Sequence, residues 1–196
     1  MANFYLGLDL GQAADYTALC LAERVDNADN RVKCQYHMRH LQRFRLGTSY
    51  PDIVAEVARM MHTEPLQQDG QLVVDQTGVG RPVVDLLRQA KLYCVAVTIT
   101  GGDVVSHEGG DYRVPKRELV STLQVLLQGG RLKFAEGLPE VATLVRELMA
   151  FQVKITDSAN ATFGSWREGS HDDLVLAVAM ACWYGERYGG PLAILI

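Results

Sequence analysis

The chain is 196 residues long, 48% hydrophobic and 21% charged, with a formal net charge of −4. That length and apolar content fit one globular domain with a sizeable core, residues 1–196, and argue against two. The opening MANFYLGLDLG lacks the charged region and apolar stretch of a secretory leader, and no apolar run reaches bilayer length, so a soluble, intracellular protein is expected. Cys20, Cys34, Cys94 and Cys182 lie far apart with no CxxC pair, which points away from a zinc site or a disulfide framework. The acidic balance argues against a nucleic-acid binder, an objection that weakens if several of the acids hold divalent cations.

Residues 4–10 alternate, with Phe4, Leu6, Leu8 and Leu10 on one face and Tyr5, Gly7 and Asp9 on the other, which predicts a strand. Gly7 and Gly11 share Asp9's face and are expected to leave open space there for a metal or a phosphate. Residues 17–25 and 31–41 read as two more strands joined across the polar turn at 26–30, giving an antiparallel meander. Pro51 opens a helix with Ile53, Val54, Val57, Met60 and Met61 at helical spacing. LVVD at 72–75 is a wholly apolar strand that belongs mid-sheet, with Asp75 at the C-terminal end where open α/β sheets bind ligands. A tight glycine turn, TGVGR, leads into a helix from Pro82 that buries Val83, Val84, Leu86 and Leu87, and residues 93–100 form a further strand.

Residues 101–114 are glycine-rich and aperiodic, the composition of a mobile loop. Helix resumes at Pro115, with Leu119, Leu123, Leu126 and Leu127 turned inward and Gly129-Gly130 as the stop. Residues 131–134 read as a short strand and 138–150 as a helix. Residues 151–156 and 161–166 flank the polar turn DSAN as a β-hairpin. From Asp173 to Tyr184 the chain is almost wholly apolar, so this helix is buried nearly all round. The hairpin is tied to it by the short run REGSH and is expected to gate whatever site the helix head forms.

Asp9 and Asp75 close apolar strands, and Asp172 and Asp173 open a buried helix, where unpaired charge is costly unless a cation meets it. Each acid alone would pass as a turn or helix cap. Together, oxygen ligands on two strand ends and one helix head suit two Mg²⁺ or Mn²⁺ ions in phosphodiester hydrolysis. Asp9 would bridge the ions, Asp75 would hold one and the Asp172/Asp173 head the other. Backbone N–H groups from Thr77 to Gly80, with Gly78 and Gly80 allowing close approach, are candidates to meet a phosphate. His171 is a candidate accessory group. Arg39, His40, Arg43 and Arg45 form one basic cluster and Arg113, Lys116 and Arg117 another; of these, Arg43, Arg113, Lys116 and Arg117 are the candidate DNA contacts, and a merely solvated face is the competing reading.

Four blocks, GLDLGQAADYTALCL, VVDQTGVGRPVVDLLRQ, YRVPKRELVSTLQVLLQGGRLKF and HDDLVLAVAMACW, resemble, in this order and over nearly the whole chain, the nuclease domain of tailed-phage terminase large subunits. The resemblance implies an α/β RNase H-like fold, shared with Holliday-junction resolvases, with a central mixed sheet, antiparallel meander plus parallel strands, flanked by helices. It implies a Mg²⁺- or Mn²⁺-dependent endonuclease that cuts concatemeric double-stranded DNA during genome packaging in the host cytoplasm. The family's catalytic acids fall on Asp9, Asp75 and the Asp172/Asp173 pair, of which Asp173 is the favoured ligand, and Asp15 also matches the family pattern. Its implied partners are a packaging ATPase domain or chain, the small terminase subunit and the portal, with no membrane. No GxxxxGK[ST] phosphate loop occurs in this sequence, so translocation is not expected of this chain alone. Three other readings stand beside it: a junction resolvase of the same fold, a sugar-kinase-like fragment suggested by LGLDLG and TGVG, and a non-catalytic DNA-binding packaging component.

Overall fold

Alternating and continuous apolar runs organise one eight-stranded mixed sheet. The computed structural model describes residues 3–11, 15–26, 34–78, 80–150, 152–155, 161–164 and 172–189, with 152–155 and 161–164 as backbone alone. In chain order the elements are β1 (Phe4–Asp9), β2 (Ala18–Val25), β3 (Gln35–Arg43), α1 (Tyr50–Met61), the short α2 (Leu66–Asp69), β4 (Gly70–Asp75) and α3 (Gly80–Gln89). They continue with β5 (Cys94–Thr100), β6 (Ser106–Glu108), β7 (Asp111–Pro115), α4 (Lys116–Gln128), β8 (Leu132–Phe134), α5 (Val141–Ala150), β9 (Gln152–Ile155), β10 (Ala161–Gly164) and α6 (Asp173–Tyr188).

The strand order is β6-β7-β5-β4-β1-β2-β3-β8. The antiparallel meander of β1, β2 and β3 is present, and β4 lies mid-sheet, parallel to both β1 and β5. β7 runs parallel to β5 in turn. The C-terminal ends of β1, β3, β4, β5 and β7 therefore share one sheet edge, and α4 starts from that edge directly after β7. The other sheet holds β9 and β10, an antiparallel pair matching the expected hairpin; its turn at 157–160 lies outside the described residues, as do positions 27–30 of the first turn.

Side-chain alternation on the central strands feeds two cores. Leu6, Leu8, Leu72 and Val74 meet Ile53, Val57, Val83 and Leu87 of α1 and α3 on one face. Tyr5, Cys20, Val73 and Val97 meet α4, α5 and α6 on the other. α6 is buried almost all round, from Asp173 to Trp183.

Three expectations are corrected. Residues 101–114 are not simply a mobile loop: β6 and β7 form a hairpin turned at Gly109 (φ 62°) and Gly110 (φ 95°), and β7 adds to the sheet through buried Tyr112 and Val114. Leu127 is 40% exposed, since α4 buries Leu119, Leu123 and Leu126 and turns the next position outward. Gly7 and Gly11 leave no open space, because each is filled by protein. A Cβ at Gly7 would stand 3.0 Å from the carbonyl carbon of Ala177 and closer to its oxygen, and one at Gly11 would enter the backbone of Asp15 and Tyr16.

Candidate active site

Sheet register brings the acids to one edge. Leu8 pairs with Val74, so Asp9 and Asp75 end neighbouring parallel strands, and Ala18 lies in one row between Asp9 and Arg43. α6 crosses the same face at Gly7, which carries Asp172 and Asp173 to the ends of these strands. Asp9, Asp75 and Asp173 are all buried, at 7%, 8% and 5% exposure.

Such crowding has an electrostatic signature. Burial first, then the like charges of Asp75, Asp173 and Asp172, hold the Asp9 carboxyl well above the usual carboxylate range. Asp75 is also pushed up by burial, against the hydrogen bonds that Thr77 donates from its backbone N–H (2.7 Å) and its hydroxyl (2.5 Å) to Oδ1. The Thr77 amide is thus committed to Asp75. Gly78 turns the chain at φ 71° and Gly80 starts α3, while Val79 lies outside the described residues.

Protein cations answer the helix-head acids. Lys116, first residue of α4, donates from Nζ to Asp172 Oδ2 at 2.7 Å. Arg43, last residue of β3, stands 3.4 Å from Asp173 Oδ2 and 3.8 Å from Glu147 Oε1, with its guanidinium stacked 3.7 Å over the Tyr16 ring. Arg117 pairs with Asp103 at 2.7 Å, and Arg113 is exposed on β7. Asp15 borders a cavity of about 130 Å³ with Gly11, Thr17, Arg45, Thr48 and Tyr50. His171 lies outside the described residues.

Sequence reasoning passed over Glu147. This carboxylate, 6% exposed, accepts hydrogen bonds from the N–H groups of Leu174 (2.9 Å) and Val175 (3.2 Å). Burial pushes it up to about 7, against the lowering pull of those two amides and of Arg43. The available signal was its place three positions after Leu144, at the edge of the apolar stripe Val141, Leu144, Leu148 of α5.

Among the described residues no three acidic, histidine or cysteine side chains close on one point as a preformed cage; the carboxylates are turned to Thr77, Lys116 and Arg43. The donor set nevertheless fits hard divalent cations. It is all carboxylate oxygen, and the mutual repulsion at Asp9 is what a dication relieves.

Comparison with known proteins follows the same line. The G20c large terminase nuclease, from a thermophilic phage, aligns over 93% of this chain and 81% of its own at 21% identity and a TM-score of 0.66. The same nuclease with bound magnesium aligns over 91% and 79% at 23% identity and a TM-score of 0.64. The large terminase of bacteriophage HK97 aligns over 93% of this chain and only 39% of its own, at 16% identity and a TM-score of 0.57. A comparison with curated proteins returns no match. The family model described as the terminase RNaseH-like domain matches residues 6–184, nearly the whole chain, and the chain belongs to that family.

Proposed function

We propose that this chain is a metal-dependent endodeoxyribonuclease that cuts concatemeric viral DNA in genome packaging. The observation that carries the proposal is the convergence of Asp9, Asp75, Asp172 and Asp173, from three distant segments, on one sheet edge with Asp9 strained by its acidic neighbours. Family membership and the bound magnesium of the G20c nuclease support it. Asp9, Asp75 and Asp173 would hold two Mg²⁺ or Mn²⁺ ions, with Asp172 as a further ligand once released from Lys116. The ions would supply the water activation and charge neutralisation that in-line phosphodiester hydrolysis requires.

The remaining roles belong to the chain itself. Arg117, exposed one position after Lys116, would meet the phosphates of double-stranded DNA, and Lys116 would join it on leaving Asp172. Arg113, expected to share that role, is turned to the opposite sheet face, since Tyr112 and Val114 on either side of it enter the α6 core. The chain spans 39% of the HK97 large terminase; as a single nuclease domain it would work with a packaging ATPase domain or chain, the small terminase subunit and the portal, in the host cytoplasm. No helix among the described residues is long and apolar enough to cross a membrane.

A plasmid-nicking assay with Mg²⁺ or Mn²⁺ tests the proposal. Asp9→Asn, Asp75→Asn and Asp173→Asn should each lose cleavage by orders of magnitude while remaining folded. Wild-type nicking by Asp9→Asn, or in excess chelator, would sink it.

A further inference from the structure

A helix that begins in a protein interior needs acceptors for its first N–H groups and an anion for its positive end. The residue before the helix normally supplies both by folding its side chain back. At α6 that residue is Asp172, and it makes no such bond; its carboxylate goes to Lys116 instead. The N–H groups of Leu174 and Val175 are taken by Glu147, 27 and 28 positions away on α5. The other oxygen of Glu147 meets Arg43, and Arg43 reaches Asp173.

We infer that Glu147 is a positioning residue, which caps α6 from a neighbouring helix and so frees the side chains of Asp172 and Asp173 to face Asp9 and Asp75. This division of labour separates holding the helix from holding the ligand. If Asp172 capped its own helix, its carboxylate would be spent on Leu174 and Val175. Arg43 lies between the two carboxylates, 3.8 Å from the other Glu147 oxygen without a hydrogen bond and 3.4 Å from Asp173 Oδ2, with its guanidinium stacked on Tyr16. The inference rests on the nuclease reading above.

The test uses the full chain with Mn²⁺ as probe. Outer-shell partners of a metal site are worth about 10–100-fold in affinity. Glu147→Ala, at a temperature where circular dichroism shows it folded, should bind Mn²⁺ about 10–100-fold more weakly by calorimetry, and its nicking should need correspondingly more Mn²⁺ while kcat at saturation stays near wild type. Glu147→Gln keeps a carbonyl acceptor for the two amides but loses the charge facing Arg43 and the helix end, so it should bind Mn²⁺ with an affinity between wild type and the alanine variant. A purely packing role would lower stability without this split. In the wild type, the amides of Leu174 and Val175 should be protected from hydrogen exchange like those deeper in α6, a readout that holds if the alanine variant does not fold. Wild-type Mn²⁺ affinity in folded Glu147→Ala, a glutamine variant as weak as the alanine one, or unprotected Leu174 and Val175 amides would each overturn the inference and leave the nuclease reading standing. A wild type that neither binds Mn²⁺ nor nicks would overturn both.

Discussion

Gly7→Ala probes the close approach of helix and strand on which the site depends. The added methyl carbon would stand 3.0 Å from the Ala177 carbonyl carbon, nearer still to its oxygen and 3.1 Å from Cys20 Sγ. Non-bonded carbon needs about 3.5 Å or more, so α6 must rise from β1 by roughly 1 Å. Overpacking of this kind costs about 1–3 kcal/mol. The Cys20 thiol's hydrogen bond to the Ala177 carbonyl, 3.3 Å long, would break as well, at about 1 kcal/mol. The sum, about 2–4 kcal/mol, corresponds to a fall in Tm of roughly 4–16 °C for a chain of this size. Asp173 lies four residues upstream of Ala177, about 6 Å along the axis, so metal affinity should fall as well. Thermal and urea melts by circular dichroism read the first effect and Mn²⁺ calorimetry the second. Because the obstacle is a backbone carbonyl, Ala177→Gly should not restore stability. A Gly7→Ala protein as stable as wild type, or rescue by Ala177→Gly, would refute the reasoning.

The buried acids predict an inverse relation between stability and activity. Asp9 is raised above its unfolded value, so the folded state holds its proton more tightly; stability from this group is full below about pH 4 and is lost as pH rises through the folded value. In chelator at pH 8, Asp9→Asn should therefore melt above wild type, with the gap closing towards pH 4, and a variant that melts lower would contradict this. Saturating Mg²⁺ at about 100 times Kd should raise wild type by about 2.7 kcal/mol and leave the variant nearly unmoved. DNA affinity should fall steeply with salt, and Lys116→Ala or Arg117→Ala should each flatten the log-log slope by about 0.9 for every phosphate no longer neutralised; salt-independent affinity would rule out electrostatic binding.

The legible parts of the fold were those where local pattern and tertiary role coincide. β1 and β4 were readable because alternation and a continuous apolar run follow directly from burial on two sheet faces, and Asp9 and Asp75 came with them as strand ends. β7 was hidden because its neighbours are glycines and its partner β6 is a three-residue, fully exposed strand, although Gly109-Gly110 between Glu108 and Asp111 is itself a hairpin signal. Gly7 was recognised as a gap and assigned the wrong occupant, since nothing near it in sequence announces Ala177. Glu147 borders the apolar face of α5, which marks it as unusual, but its partners are hidden for the same reason: the two amides come from α6 and the guanidinium from β3.

The spread of the acids along the chain also has a temporal side. Asp9 belongs to β1, Asp75 follows 66 positions later, and the Asp172/Asp173 head comes almost a hundred positions after that. At about 5–20 residues per second, roughly 8–33 seconds of synthesis separate the first of these acids from the last. A nascent or prematurely terminated chain carries the early acids without the helix that completes the set. On the nuclease reading, late arrival of the α6 head would withhold cleavage from such partial products.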